Sequence, residues 1–278
     1  MLPHLADFRE AALYLKDHAL EQGEGGSLED LRAMRRLSVL CHEQPTLINQ
    51  LVGMAILALE VDTMSHLLED HGTTYSDEVL ELFEVELDLA LAALSPLSLQ
   101  GEQIMFDDVL QRMYSDDGAG NGIFIGGSDA LSDGMEFMGF PDRRRTTVDT
   151  VVAPFLAQWM PDRQTTRELY AAMMAEQVQF CKAPLWDRPE DSQFEGTGNP
   201  IIDLTLPALT KAIDQVQLKR MEIEAMSLVV AAYRERTRTG AFPAEAPIEV
   251  RDCWVDGLVG YEVVDGLPEV RSACPHQK

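Results

Sequence analysis

Basic residues are the scarcest component of this 278-residue chain. It holds 22 Lys and Arg against 47 Asp and Glu, which gives a formal net charge of -25. Only five residues are lysines, and neither Lys nor Arg occurs between Arg36 and Arg112. A protein with this charge repels phosphate backbones and anionic lipids, so nucleic acids and acidic membranes are disfavoured as partners. The same charge attracts metal ions and basic proteins.

The shortage of bases belongs mostly to the first half of the chain. Residues 1–140 hold 26 acids and 6 bases, a net charge of -20, whereas residues 141–278 hold 21 acids and 16 bases, a net charge of -5. Two interpretations are open. The acids serve solubility or adaptation to salt, or they form a face that binds cations or a basic partner.

Cysteine is also scarce, because the chain has four cysteines and none forms a Cys-x-x-Cys pair. A zinc ribbon and a thioredoxin-type motif are therefore excluded. Cys253 and Cys274 flank a short stretch rich in strand formers, where a disulfide would fasten the C-terminal tail. A bonded and a reduced pair are both open. Cys41 and Cys181 lie in apolar helical contexts, which predict buried free thiols.

Long apolar runs are missing as well. The longest, Leu51–Leu59, is interrupted by Gly53 and is shorter than the roughly 20 residues that a membrane span needs. The first residues lack the basic start and apolar core of a signal peptide. We therefore expect no transmembrane segment and no export signal in this chain.

The common phosphate-binding and nucleophile motifs do not occur. There is no Walker loop, and Gly118, Gly120 and Gly122 do not fit the dinucleotide-binding fingerprint. Gly126-Gly127-Ser128 is not a nucleophile elbow. His66 and Asp70 share a face of a predicted helix but have no third ligand in view, so an ordinary surface histidine is predicted.

Apolar residues at helical spacing fill most of the chain. They predict helices that begin at Pro3, Ser27, Pro45, Ser76 and about Glu102, followed by helices over about Thr147–Met160, Asp162–Cys181 and Ile201–Thr239. The last forty residues predict short strands at Val250–Trp254, Val259–Val264 and Val270–Ala273, with turns at Asp256-Gly257 and Asp265-Gly266.

These elements predict a mainly α fold with a small C-terminal antiparallel β segment. The helices form either a helical-repeat-like layer or an irregular bundle. We expect one helical domain over residues 1–240, with an acidic half at 1–114, a loop at 115–139 and a second helical part at 140–240. Residues 241–278 are predicted to be a β tail packed on that domain.

The loop at 115–139 carries seven glycines and the most distinctive local motif of the chain. Asp116, Asp117 and Asn121 offer the carboxylate and amide oxygens that calcium prefers. The spacing is not that of an EF-hand, because Ala119 and Ser128 stand where ligands are required. A capped turn after a helix and a calcium or other hard-cation site are both open.

Several short motifs occur in an order that resembles a known family. They are Leu2-Pro3-His4-Leu5 with Glu43-Gln44-Pro45-Thr46-Leu47-Ile48, Gly101-Glu102 with Tyr114-Ser115-Asp116-Asp117-Gly118, Asn199-Pro200 with Leu206-Pro207-Ala208-Leu209, and Ala232-Tyr233-Arg234 with Gly240-Ala241-Phe242-Pro243. The chain resembles a family of uncharacterised exported proteins from planctomycetes and related bacteria. The resemblance implies a mostly helical, periplasmic or otherwise extracytoplasmic protein, whose relatives carry a membrane anchor and further helices upstream. It implies no catalytic residues.

The C-terminal part has a second, local resemblance. Tyr233, Gly240, Phe242 and Pro243 are similar to the tail of type II secretion pseudopilins, in which a helix precedes a small antiparallel sheet. The resemblance implies that a helix ends at Gly240 and that a small sheet follows.

Two functional hypotheses follow from these features. The first is a non-enzymatic binding or scaffold protein of the cell envelope, whose acidic half binds a protein partner or basic ligand with or without a cation. The alternative is a hydrolase with a carboxylate-based site near the loop at 115–139, whose catalytic residues the sequence leaves unknown. A closed cavity at Asp107, Asp108, Asp116 and Asp117 would favour it over a scaffold. Arg143-Arg144-Arg145 is the one basic run, and it either docks on an acidic surface or lies in a solvated loop.

The calcium hypothesis predicts a shift in thermal stability. A cation that binds only the folded chain must stabilise it, so calcium should raise the melting temperature and a chelator should lower it. The double variant Asp116→Asn, Asp117→Asn should lose this response. An unchanged melting temperature in the wild-type chain would contradict a calcium site.

Overall fold

The computed structural model describes residues 3–22, 27–94, 98–125, 160–180, 183–188 and 199–273. These residues form two compact units that alternate along the chain. Unit 1 comprises those within Leu99–Lys182 and Pro189–Lys211. Unit 2 comprises those within Leu2–Ser98, Ala183–Arg188 and Ala212–Lys278.

Seven helices account for most of the part of the chain that the structure describes. They are α1 (Pro3–Gln22), α2 (Ser27–His42), α3 (Leu47–His71), α4 (Asp77–Ala93), α5 (Gln100–Met113), α6 (Arg163–Phe180) and α7 (Pro200–Thr239). A 3-10 turn at Leu185–Asp187 precedes α7, and the strands β1 (Gly260–Val264) and β2 (Leu267–Arg271) form one antiparallel sheet. The predicted class, mainly α with a small C-terminal antiparallel β segment, is confirmed.

Local capping signals explain several of the helix bounds. The Ser76 hydroxyl accepts a hydrogen bond from the Val79 backbone N–H at 3.4 Å, as expected for the N-cap of α4. The third helix was predicted from Pro45 but begins at Leu47, because Thr46 keeps an extended backbone. Asp162 caps α6 by accepting from the Thr165 N–H at 2.8 Å.

The largest hydrophobic core belongs to unit 2 and has α3 at its centre. Met54, Leu57 and Met64 of α3 pack with Phe83 of α4 and Tyr233 of α7, and all five are buried. Helix α3 is long and apolar enough to cross a membrane, with a mean hydropathy of 1.5 over its best window. The sequence did not predict a membrane-spanning length for α3, because Glu60 and Asp62 interrupt its apolar residues. In this structure 56% of that window is buried in the protein, and a core helix passes the same test.

Two buried carboxylates lie among α2, α3 and α4. Glu60 is fully buried and Glu86 is 1% exposed. The Arg35 guanidinium pairs with both of them, at 3.4 Å from Glu60 Oε1 and in closer contact with Glu86. Arg32 adds a hydrogen bond of 2.7 Å to Glu86 Oε1. We call these four residues the buried ion cluster.

The surroundings of Glu60 favour its neutral form. Burial raises the pKa of Glu60 from 4.5 to about 8, while the Arg35 charge lowers that pKa and the Glu86 charge raises it. A carboxyl group removed from water favours protonation, because the charged form loses its hydration. The protonated form of Glu60 is therefore favoured at neutral pH, and Arg35 mainly neutralises Glu86.

A buried polar network and an aromatic stack hold the elements of unit 1 together. The hydroxyls of Tyr114 and Thr166 lie 3.0 Å apart, and Asn199 Nδ2 donates to Thr166 Oγ1 at 3.3 Å. The rings of Phe106 and Tyr170 stack with centroids 3.6 Å apart. These contacts connect α5, α6 and the residue before α7, and burial raises the pKa of Tyr114.

The C-terminal segment corrects one strand prediction. Val250–Trp254 is not a strand, since only an isolated bridge joins Arg251 to Leu258. The buried Asp252 carboxylate instead accepts hydrogen bonds from Trp254 N, Ser272 Oγ and Ala273 N at 2.8, 3.1 and 2.6 Å. A carboxylate that bonds nearby backbone groups competes with strand pairing, and propensity alone does not reveal this. The Asp265-Gly266 turn is present between β1 and β2.

Several sequence-based predictions fall outside the described residues. They concern most of the predicted helix Thr147–Met160, the run Arg143-Arg144-Arg145, loop residues 126–139, and the cysteines Cys181 and Cys274. Cys253 is buried, and its disulfide with Cys274 stays a prediction. Cys41 is a buried free thiol as predicted, and burial raises its pKa.

The buried ion cluster predicts how stability depends on pH. Below pH 4.5 Glu60 is protonated in both states, but between pH 4.5 and about 8 only the folded state keeps the proton. The free energy of unfolding should therefore fall as pH rises through this window, by a few kcal/mol from this group. Glu60→Gln cannot ionise, so it should remove that decline and exceed the wild type in stability at pH 8.

Chemical denaturation across this pH range measures the effect. Glu69→Gln, an exposed position on the same helix, is the matched control and should keep the wild-type slope. An identical slope in wild type and Glu60→Gln would contradict a protonated Glu60.

Candidate functional site

The residues of the predicted calcium site lie in a tight hairpin between α5 and the region before α6. Tyr114 and Phe124 form an antiparallel bridge, and Ser115 N–H donates to Ile123 O at 2.9 Å. The Asp117 N–H donates to Asn121 O at 2.8 Å and closes the tip. The chain therefore reverses over Asp117–Asn121.

The side chains predicted to bind calcium are engaged within this hairpin. Asp116 accepts from the Gly118 N–H at 2.8 Å, and Asp117 accepts from the Ala119 and Asn121 N–H groups at 2.8 and 3.0 Å. These backbone hydrogen bonds lower the pKa of Asp117. The Asn121 amide oxygen accepts from the Gln164 N–H at 2.9 Å, which satisfies a donor in the first turn of α6.

These contacts are those of a capped turn. Within the described ranges, no group of three or more His, Cys, Asp or Glu side chains is arranged to hold a metal ion. Calcium binding by Asp116, Asp117 and Asn121 therefore stays a prediction, and the hairpin's own hydrogen bonds account for its residue types.

The carboxylates proposed for a hydrolase have separate arginine partners. Asp107 pairs with Arg167 at 2.8 Å, and Asp108 pairs with Arg112 at 2.9 Å. A general acid needs a raised pKa, whereas the pKa of Asp117 is lowered. Nothing in the contacts of these residues brings them together as a catalytic pair.

His66 lies on the surface of α3, as predicted from its lack of further ligands. Its neighbours are Asp62 at 3.8 Å and Glu69 at 3.9 Å, and the side chain is about half exposed. The helical spacing in the sequence had instead suggested Asp70 as the carboxylate beside His66. These are ordinary one-turn neighbours on an exposed helix face.

The feature of unit 2 that sequence reasoning missed is a cavity of about 1110 Å³ lined by α3, α7 and the hairpin of β1 and β2. We call it the α3–α7 groove. Its floor is apolar and includes Met54, Leu68, Met226, Val229 and Leu267. Two of these are methionines, whose flexible thioethers adapt to differently shaped apolar groups.

Acidic side chains line the groove around this floor. They are Asp62, Glu69, Glu222, Asp265 and Glu269. Among the lining residues that the structure describes, Lys219 is the one base, and it pairs with Glu222 at 2.5 Å. Just outside the lining, Lys16 pairs with Asp62 at 2.5 Å and Arg271 pairs with Glu269 at 2.6 Å. Counted over the described residues, the five lining acids outnumber these three bases, so this part of the groove carries a net negative charge.

The groove is elongated along α3. Its lining on this helix runs from Leu51 to Glu69, which corresponds to about 27 Å at a rise of 1.5 Å per residue. Ala55, Ala58 and Ser65 are the small residues on this side of the helix. A shallow face of small side chains leaves room for an extended occupant.

Comparisons of the chain with protein-family models, with curated proteins and with solved structures find no match. The site is therefore interpreted from its own geometry and charge.

The hairpin predicts that Gly122 does not tolerate a side chain. A Cβ at this position would overlap the backbone carbonyl oxygen of Ser115. Gly122→Ala should therefore distort the hairpin and the cap of α6, with a loss of stability of about 1–3 kcal/mol. Thermal unfolding followed by circular dichroism measures this loss.

Gly257→Ala is the matched control, because a Cβ there meets only Val255 Cγ2 at 3.6 Å. This variant should unfold within a few degrees of the wild type. Equal melting temperatures for Gly122→Ala and the wild type would show that the hairpin differs from the one described.

Proposed function

We propose that this protein is a non-enzymatic binding protein that takes an apolar, basic segment of a partner protein into the α3–α7 groove. The observation that carries the proposal is the combination of an apolar floor with a net negative lining. A segment with alternating apolar and basic side chains places its apolar groups on the floor and its basic groups beside the acids.

The dimensions of the groove support a peptide over a compact small molecule. Small-molecule sites usually measure about 300–1,000 Å³ and enclose most of their ligand. The α3–α7 groove lies at the upper end of that range, at about 1110 Å³, and extends along five turns of a helix. A chain-like ligand fills such a shape better than a compact one.

The chemistry of the lining argues against other elongated ligands. Fatty acids and anionic lipids have an apolar chain and a negative head, and the acidic lining repels that head. The net charge of -25 extends the same repulsion to the whole protein. A basic protein segment gains from both the local and the overall charge.

The cellular setting is part of the proposal. The resemblance to exported bacterial proteins favours the cell envelope, where the partner would be another envelope or secreted protein. For the hydrolase alternative, no contact among the described residues near Asp107 and Asp116 supports a catalytic arrangement.

Fluorescence anisotropy with two synthetic probes tests the proposal. One probe is a short labelled peptide of alternating Lys and Val, and the other is a labelled amphipathic helix of Lys and Leu. At least one should bind at physiological salt, and the same peptides with Glu in place of Lys should not. Ala58→Trp places an indole in the groove and should weaken binding by about tenfold or more.

Ala92→Trp is the matched control, because Ala92 is an exposed residue of α4 outside the groove lining. This variant should bind the probes like the wild type. The proposal fails if neither Lys probe binds, or if Ala58→Trp and Ala92→Trp have the same affinity as the wild type.

A further inference from the structure

We infer that the outer edge of β2 is the recognition edge of the α3–α7 groove, and that the partner segment binds there as an added β-strand. The inference rests on the proposed function and specifies the conformation of the occupant. It comes from the register of the hairpin and from which hairpin residues line the groove.

The orientation of β2 follows from its lining residues. Leu267, Pro268, Glu269 and Val270 are consecutive in the chain, and all four line the groove. A strand that presents one face contributes only alternate residues, because successive side chains point to opposite faces. Four consecutive lining residues therefore mean that β2 presents its edge, while β1 contributes only its last residue, Val264.

The turn fixes which backbone groups of β2 point outward. Asp265 and Gly266 have φ values of 51° and 82°, and positive φ at both positions defines a two-residue type I′ turn. Val264 and Leu267 flank this turn and form a hydrogen-bonded pair, in which the backbone N–H of each residue donates to the C=O of the other. Hydrogen-bonded and non-hydrogen-bonded pairs alternate along an antiparallel ladder.

The register then assigns the remaining pairs. Pro268 lies opposite Val263, and Val270 lies opposite Tyr261. Both are non-hydrogen-bonded pairs, so the backbone groups of Pro268 and Val270 point away from β1. Pro268 fits this position because an edge residue needs no N–H toward the ladder.

The edge consequently offers a short but specific set of hydrogen-bonding groups. Val270 presents both N–H and C=O, and Pro268 presents C=O alone. Outside the β1–β2 ladder, no backbone hydrogen bond among the described residues uses the Val270 N–H. Adding a strand to an exposed sheet edge through such groups is an established mode of peptide recognition.

Charge determines which strand this edge accepts. Glu269 on β2 and Asp265 in the turn both line the groove beside the edge. Glu269 already lies opposite Glu262 in the hairpin, where Arg271 contacts both carboxylates. A second copy of β2 would add further like charge beside them, which is destabilising on neighbouring strands. A strand with Lys or Arg at alternate positions meets these acids favourably.

Val270→Pro tests the inference because it removes the one outward N–H of β2 and leaves the hydrogen-bonded pairs between β1 and β2 intact. This variant should bind the alternating Lys and Val peptide at least tenfold more weakly than the wild type. Val263→Pro makes the same change on the outer edge of β1, which does not line the groove, and should bind like the wild type. Circular dichroism of both variants confirms that they fold.

Pro268→Val provides a second test that loss of folding cannot mimic. It adds an outward N–H to the edge and should tighten binding of the same peptide by about twofold to tenfold. An isotope-edited infrared spectrum of the bound peptide, labelled with ¹³C at its carbonyls, should show a β-strand amide I band. Size-exclusion chromatography should show no additional self-association of this variant.

The outcomes separate this inference from the proposed function. If the helical Lys and Leu probe binds and the alternating peptide does not, the groove is a binding site but strand addition is wrong. If Val270→Pro and Pro268→Val leave the affinity for the alternating peptide unchanged, the edge is not used. If neither probe binds, the proposed function itself fails.

Discussion

The buried ion cluster of Arg35, Glu60, Glu86 and Arg32 is the constraint on which unit 2 depends. It joins α2, α3 and α4 at a place where both carboxylates are inaccessible to solvent. Removing Arg35 would leave Glu86 buried without its closest partner, and the loss of one partner of a buried ion pair usually costs about 3–5 kcal/mol. The cluster therefore fixes the positions of α2, α3 and α4 relative to one another. Residues two positions apart on a helix point in nearly opposite directions, so anchoring Glu60 inward turns Ala58 and Asp62 toward the groove.

A second set of contacts fixes the end of α7 against α4. Arg234 pairs with Asp77 at 2.9 Å and also contacts Glu84, and the hydrogen bonds from Arg234 and Arg238 lower the pKa of Asp77 to about 2. The Tyr233 ring packs on Gly72, where a Cβ would lie 2.6 Å from the ring. These contacts position the end of α7, from which the chain continues to the hairpin that completes the groove.

The acidic composition has two physical roles in this structure. Glu60, Glu86, Asp77 and Glu84 are used inside unit 2, where they pair with arginines across helices. The acids of the groove instead surround an apolar surface and come from both halves of the sequence, since α3 contributes Asp62 and Glu69 while α7 and the hairpin contribute Glu222, Asp265 and Glu269. A charge count along the chain locates acids correctly, but it does not tell which of them pair with arginines across helices and which line a cavity.

The sequence by itself determined the elements that depend on neighbouring residues. The seven helices that the structure describes, the Ser76 cap and the Asp265-Gly266 turn follow from local periodicity and backbone preference. Tertiary structure decided the rest. Asp252 replaced a predicted strand with a carboxylate-centred turn, and the pKa of Glu60 is raised because surrounding helices remove it from water. The groove brings residues from Leu51 to Val270 together, and no local pattern encodes a surface whose parts lie some two hundred residues apart.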